Sequence, residues 1–274
     1  MGASLQYLEL QDNMFAGDLY ALASLTGLTY LDVSSNAFTH DFGGFDALTQ
    51  LQTLYASNNK LGQTETCGLP DSQGEEFCDL GPLRMLSQLE ELELDGNNLA
   101  GSVVYLSMCS ALKAAILDGN ALSGSMDDVF SQENLSLLSV SNNKLTGSLD
   151  FVRNLPKLEN FNAGHNLLSG FVPPSLAKLG SFMLSIPGND FWCPIPANVT
   201  ATCTAPVISE VLLNRSATTA GGSSYTLLVA LSAGRIDAGV PLSCDVGGNN
   251  ASATVGSPVA ATCALPPLDP FVLR

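Results

Sequence analysis

Eight segments of this chain superimpose letter by letter: LQYLELQDNMFAG, LTYLDVSSNAFTH, LQTLYASNNKLGQ, LEELELDGNNLAG, LKAAILDGNALSG, LSLLSVSNNKLTG, LENFNAGHNLLSG and SFMLSIPGNDFWC. They begin at Leu5, Leu28, Leu51, Leu89, Leu112, Leu135, Leu158 and Ser181, and every step is 23 residues except the third, which is 38. Such a period restricts the chain to a solenoid, because one unit of this length cannot bury its own apolar face and must stack on copies of itself. The excess of 15 residues is a single insertion at about 62–88 that carries Cys67 and Cys78, as expected of a loop closed by a disulfide.

Within each unit the x-L-x-L-x stretch alternates with period two, which predicts a short strand whose apolar residues, such as Leu8 and Leu10 or Leu138 and Val140, turn inward. Asparagines recur at 13, 36, 59, 97, 120, 143, 166 and 189, where the chain leaves the strand. An amide buried there can satisfy backbone groups of neighbouring coils, so these residues read as scaffold.

The pattern L-x-x-L-x-L-x-x-N-x-[LF]-x-G resembles the leucine-rich repeat family. The endings at Gly147-Ser148-Leu149 and Gly170-Phe171-Val172-Pro173 resemble its plant-type subclass with 23/24-residue repeats, as in receptor ectodomains, inhibitor proteins and protist surface antigens. The resemblance covers residues 5 to about 203. It implies an α/β solenoid over 1–192: a right-handed superhelix with a concave parallel β-sheet. Extracellular members usually carry a cysteine-paired cap before the first repeat, whereas here the chain enters directly at Leu5, so either cap residues are missing or something else covers that edge. Residues 193–206 are expected to cap the other end, with Phe191 and Trp192 over the core and Cys193 bridged to Cys203. From 207 to 274 the apolar stretches VISEVLL, YTLLVAL, VPLSCDV and PVAATCAL predict a small, sandwich-like all-β domain with a Pro-rich tail, in which Cys244 and Cys263 join neighbouring strands.

Acidic residues outnumber basic ones 26 to 10, for a net charge of -16. Nucleic acid is thereby excluded as a partner, since holding phosphates needs clustered Lys and Arg. Residues 207–274 hold four acids and three bases, so the acidity belongs to the solenoid. The longest apolar run, Tyr225 to Ala233, is far short of the roughly 20 residues that span a bilayer. No cysteine pair is spaced C-x-x-C or has histidine nearby, which favours disulfides over zinc. Sequons at Asn134, Asn198, Asn214 and Asn250 agree with an oxidising, glycosylating route and an extracellular location. Cys109 is left over and reads as a small hydrophobe on the convex side.

The register places Tyr7, Glu9, Tyr30, Asp32, Tyr55, Glu91, Glu93, Asp95 and Asp118 on the concave face. A tyrosine ridge beside carboxylates suits docking of a basic protein or glycan. Calcium on the same acids would lack a D-x-D-x-D-G loop. His40 and His165 stand in the second and seventh repeats, too far apart to share a site, and no G-x-S-x-G, H-E-x-x-H or phosphate-binding glycine loop occurs, so neither catalysis nor a cofactor is expected. The expected function is non-enzymatic recognition by a secreted or cell-surface glycoprotein. The alternative is a fibre or matrix component, joined head to tail through the first coil and the C-terminal β-domain.

Overall fold

The computed structural model describes residues 5–62, 80–127, 130–179, 183–193 and 195–204, and beyond these the backbone of five strands between 207 and 265. The first strands are β1 (Tyr7–Glu9), β2 (Tyr30–Asp32), β3 (Thr53–Tyr55), β4 (Glu91–Glu93), β5 (Ala114–Ile116), β6 (Leu137–Ser139), β7 (Asn160–Asn162) and β8 (Leu184–Ser185). They form one sheet in chain order, with parallel pairing throughout. Its register survives the insertion, since Thr53 lies opposite Glu91 and Tyr55 opposite Glu93. Central strand residues Leu31, Leu54, Leu92, Ala115, Leu138 and Phe161 are buried, and the residues flanking them turn to the opposite face.

The convex side follows from a second spacing. Leu80, Leu83, Leu86 and Leu89 recur every third residue and are all fully buried, as are Val103, Leu106, Cys109 and Leu112. In a 3-10 helix, residues three apart eclipse, so this period aligns every apolar side chain with the core, whereas an α-helix would rotate them progressively away. The amides of Leu83 and Leu86 accordingly donate to the carbonyls of Leu80 and Leu83, each at 3.0 Å. Gly81–Met85, Val103–Met108, Asp150–Asn154 and Pro174–Leu179 are thus 3-10 helices and, with Tyr20–Ser24 and Phe45–Ala47, make up the helical component of the described solenoid.

The asparagines lock coil to coil. Asn36 donates to Leu10 O at 2.8 Å in the preceding coil and to Val33 O and Ser34 O in its own, while its carbonyl accepts the Phe15 amide at 3.0 Å. Asn59, Asn97, Asn120, Asn143, Asn166 and Asn189 each donate to a carbonyl of the coil before. Each of these ladder asparagines follows a residue with positive φ: Ser35, Asn58, Gly96, Gly119, Asn142, His165 and Gly188, at 52–69°. Left-handed backbone explains why short polar residues and glycine gather there.

At the far end of the solenoid Phe191 is buried, and Cys193 and Cys203 are disulfide-bonded. In the first coil Leu5 is 44% exposed although its equivalents Leu28, Leu51 and Leu89 are fully buried, and Met14 and Phe15 are exposed beside it.

Contacts divide the chain into two compact units, the second holding residues 192–194 and 204–274. Its strands Val207–Ala217, Ser223–Ala233, Ala260–Leu265, Asn249–Ser257 and Ser243–Val246 lie in that spatial order in one antiparallel sheet. Cys263 sits opposite Ala253 and Cys244 opposite Ala251, so the strand Asn249–Ser257 separates the two cysteines. The expectation that they occupy neighbouring strands is corrected: strands consecutive in sequence pair locally, and Asn249–Ser257 is shared by both partners. Cys67 and Cys78 lie outside the described residues, as do the side chains of Cys244, Cys263, Asn214 and Asn250.

Candidate ligand-binding face

Strands of three residues present two outward rows. Along β1 to β4 one row reads Tyr7, Tyr30, Thr53 and Glu91, and the next reads Glu9, Asp32, Tyr55 and Glu93. Tyr7 and Tyr30, in direct register, stack with ring centroids 4.2 Å apart and planes 11° apart. Tyr55 belongs to the second row and meets Tyr30 edge-on, at 5.8 Å and 83°. The three rings make a continuous aromatic ledge, in the stacked and T-shaped geometries that aromatic quadrupoles favour.

Carboxylates border this ledge. Tyr7 Oη donates to Glu9 Oε1 at 2.7 Å, and Tyr55 Oη donates to the Glu91 carboxylate. The hydrogen bond to Glu9, then loss of hydration, hold the Tyr7 phenol protonated well above its ordinary range; burial, then the bond to Glu91, do the same for Tyr55. Glu93 has its pKa raised by partial burial first, and then by Asp95, Glu91 and Asp32 around it. Among the described residues none of Glu9, Glu91 and Glu93 has a cationic partner, since the ion pairs Lys113–Glu90 and Arg153–Asp150 lie off the concave strands. A concentration of negative charge is left facing solvent.

The other three acids behave differently. Asp32 is 8% exposed and accepts the amide and hydroxyl of Ser34. Asp95 accepts the Ser57 hydroxyl of the preceding coil, and Asp118 accepts the Ser141 amide at 2.6 Å, the Ser141 hydroxyl and the Asn162 amide at 3.4 Å. Asp95 and Asp118 thus join neighbouring coils of the sheet, whereas Asp32 closes the turn of its own coil. Serines at 34, 57 and 141, in the row after the strand, were the sequence signal for this division.

Along β5 to β8 the face changes character. A hollow of about 520 Å³ opens there, lined by Ile116, Leu137, Ser139, Asn160, Asn162 and Met183 among others. The alternation of the strands puts these residues on the same outward face, but no motif marks them as a site. The signal was the change from long acidic side chains to small ones, Ala114, Ser139 and Ser185, between apolar Ile116, Leu137 and Met183.

Asn134 and Asn198 are exposed, and Asn134 accepts Lys157 Nζ at 2.7 Å. His40 and His165 both have left-handed backbone, with φ of 65° and 54°, in turns of separate coils. Cys109 is buried, its thiol 3.4 Å from Leu83 O, and burial pushes its pKa up to about 11. Among the described residues no helix is long and apolar enough to cross a membrane, and no three His, Cys, Asp or Glu side chains converge to hold a metal.

No family model matches the chain, and no curated protein matches it. Solved structures do. The ectodomain of the plant receptor kinase GASSHO1/SCHENGEN3 from Arabidopsis thaliana, in complex with CASPARIAN STRIP INTEGRITY FACTOR 2, matches with a TM-score of 0.60 and 26% identity over 74% of this chain. The chain has the leucine-rich repeat fold and is similar to plant-type members of it. A second leucine-rich repeat neighbour, the Arabidopsis receptor kinase HAESA in complex with the peptide hormone IDA and the co-receptor SERK1, has a TM-score of 0.59, 24% identity and 72% coverage of this chain. A leucine-rich repeat protein of Leptospira interrogans follows at 0.52, 23% and 68%, with 44% of its own length covered. This leucine-rich repeat chain spans 24% of the GASSHO1 chain and 32% of the HAESA chain.

Proposed function

We propose that this leucine-rich repeat chain is an extracellular recognition module that binds a protein or peptide ligand bearing basic side chains across its concave sheet, without catalysing a reaction. The observation that carries this reading is the aromatic ledge of Tyr7, Tyr30 and Tyr55, bordered by Glu9, Glu91 and Glu93 without cationic partners. Tyrosines give rigid contact area, ring faces attract cations, and the carboxylates steer a basic ligand inward. Peptide or protein partners in the GASSHO1 and HAESA complexes support a ligand on this fold. The bonded Cys193 and Cys203, and sequons at exposed Asn134 and Asn198, support a glycosylated protein outside the cell.

Selection of linear dodecapeptides from a display library on the full chain tests the reading. Enriched peptides should be rich in Lys and Arg, and their binding should fall with added salt and with Tyr30→Ala or Glu91→Lys. Binders indifferent to both substitutions would refute it. Self-association is a second reading, favoured by the exposed apolar side chains Leu5, Met14 and Phe15 of the first coil. Light scattering should then show mass rising with concentration and Phe15→Asp abolishing the rise, whereas a constant monomer mass excludes it.

A further inference from the structure

The hollow on β5 to β8 and the ledge on β1 to β4 lie on one uninterrupted sheet, yet their chemistries are complementary rather than alike. Ile116, Leu137 and Met183 supply apolar surface in the hollow, and Met183 is 49% exposed. Asp118, the acid that lines the hollow, is engaged with Ser141 and Asn162. A cation placed there would lose water without gaining a free carboxylate, so an aliphatic side chain suits the hollow better. Around it Ser139 and Asn160 are half-buried, with no hydrogen-bond partner for either side chain among the described residues. Such groups suit the amides and carbonyls of an incoming backbone. On the ledge the situation is reversed: it offers ring faces and the solvent-facing carboxylates Glu9, Glu91 and Glu93, which have no cationic partner among the described residues.

We propose that ledge and hollow are two halves of one site for an extended peptide that places an aliphatic side chain about three residues from a lysine or arginine. The spacing comes from the sheet. Leu137 on β6 is two strands from Glu91 and Glu93 on β4, and with strands about 4.8 Å apart the separation is about 10 Å, which an extended chain rising about 3.3 Å per residue covers in about three residues. The peptide therefore runs across the strands. Its basic side chain lies over Tyr55, Glu91 and Glu93, and its aliphatic side chain enters the hollow. Charge complementarity selects the occupant, because the concave strands carry four acidic residues on β1, β2 and β4 and no Lys or Arg.

This inference rests on the recognition function proposed above, and the same display selection separates the two. The enriched dodecapeptides should share the aliphatic-to-basic spacing, and synthetic copies are then measured by fluorescence anisotropy on the full chain. Paired Glu91→Gln and Glu93→Gln substitutions should weaken binding about tenfold and flatten its salt dependence, while Leu137→Ser should weaken it about tenfold and leave the salt slope unchanged. Met183→Ser gives the same test at an exposed position if Leu137→Ser lowers thermal stability. Moving the basic residue next to the aliphatic one, or to the far end of the peptide, should cost as much as either half. Binders weakened by the ledge substitutions but not by Leu137→Ser and Met183→Ser overturn the two-part site while leaving recognition standing. Binders that ignore both halves, or failure of the library to enrich any peptide, overturn both.

Discussion

Replacing Asn166 with alanine isolates the lock between coils. The Asn166 amide, 6% exposed, donates to Val140 O at 2.9 Å in the preceding coil and to Ala163 O and Gly164 O, each at 3.3 Å, in its own. Its carbonyl accepts the Leu145 amide at 2.9 Å. Alanine leaves the Leu145 amide without its acceptor in the next coil, whereas the Val140 carbonyl keeps the Asn143 side-chain amide of its own coil at 3.2 Å. One orphaned buried donor costs about 1–3 kcal/mol, so the substitution should lower stability by about 2 kcal/mol. Asn13 holds the same letter in the first coil but is exposed, and it donates to Leu10 O and Gln11 O within its own coil. Asn13→Ala should cost about 0.5–1 kcal/mol. Urea unfolding followed by far-ultraviolet circular dichroism measures both, with an unchanged m-value required for the comparison because stacked coils need not unfold as one unit. Equal losses from the two substitutions would show that the amide acts within its turn and not between coils.

Three further outcomes are expected. His40 has a φ of 65°, at the position where most coils carry glycine; His40→Gly should relieve strain and raise stability by up to about 1 kcal/mol in the same urea assay, and a loss would contradict this. Because the folded pKa of Glu93 lies above its unfolded value, the folded state holds that proton more tightly. Its contribution to stability is therefore present at acid pH and is lost as pH rises from the ordinary carboxylate range through the raised value. Glu93→Gln should flatten that part of the pH–stability curve, and parallel curves would exclude the effect; a basic peptide favouring ionised Glu93 should release protons on binding, readable by calorimetry in buffers of different ionisation enthalpy. Cys109, with its thiol buried and its pKa pushed up to about 11, should resist alkylation near neutral pH and react on unfolding, as mass spectrometry of its peptide would show; rapid labelling of the folded protein would contradict the burial.

Much of this was legible in the letters. Alternating residues fix which side of a strand faces water, so Leu54 and Tyr55 could be assigned to opposite faces before any coordinates, and the spacing of 23 fixed which strands are neighbours. Convex geometry was harder, because Leu80, Leu83, Leu86 and Leu89 reveal a 3-10 helix when their strict period of three is counted, and the resemblance to a family drew attention to helices in general. The acids of the face look alike as letters. Whether Asp118 offers its charge or joins Ser141 depends on a partner 23 residues away and on side-chain direction, which no one-coil pattern contains. The hollow escaped for a related reason: it is made by small residues, and an absence of side-chain volume on several coils has no motif.

The unbroken pairing of Tyr55 with Glu93 means that this face counts strands rather than residues. Partners 38 positions apart across the insertion are as close in register as Glu93 and Ile116, which are 23 apart. Lengthening or shortening the segment between 62 and 80 should thus leave Thr53 opposite Glu91 and Tyr55 opposite Glu93, and with them the order of side chains along the face, so a tag or an epitope can be grafted there without renumbering the rows.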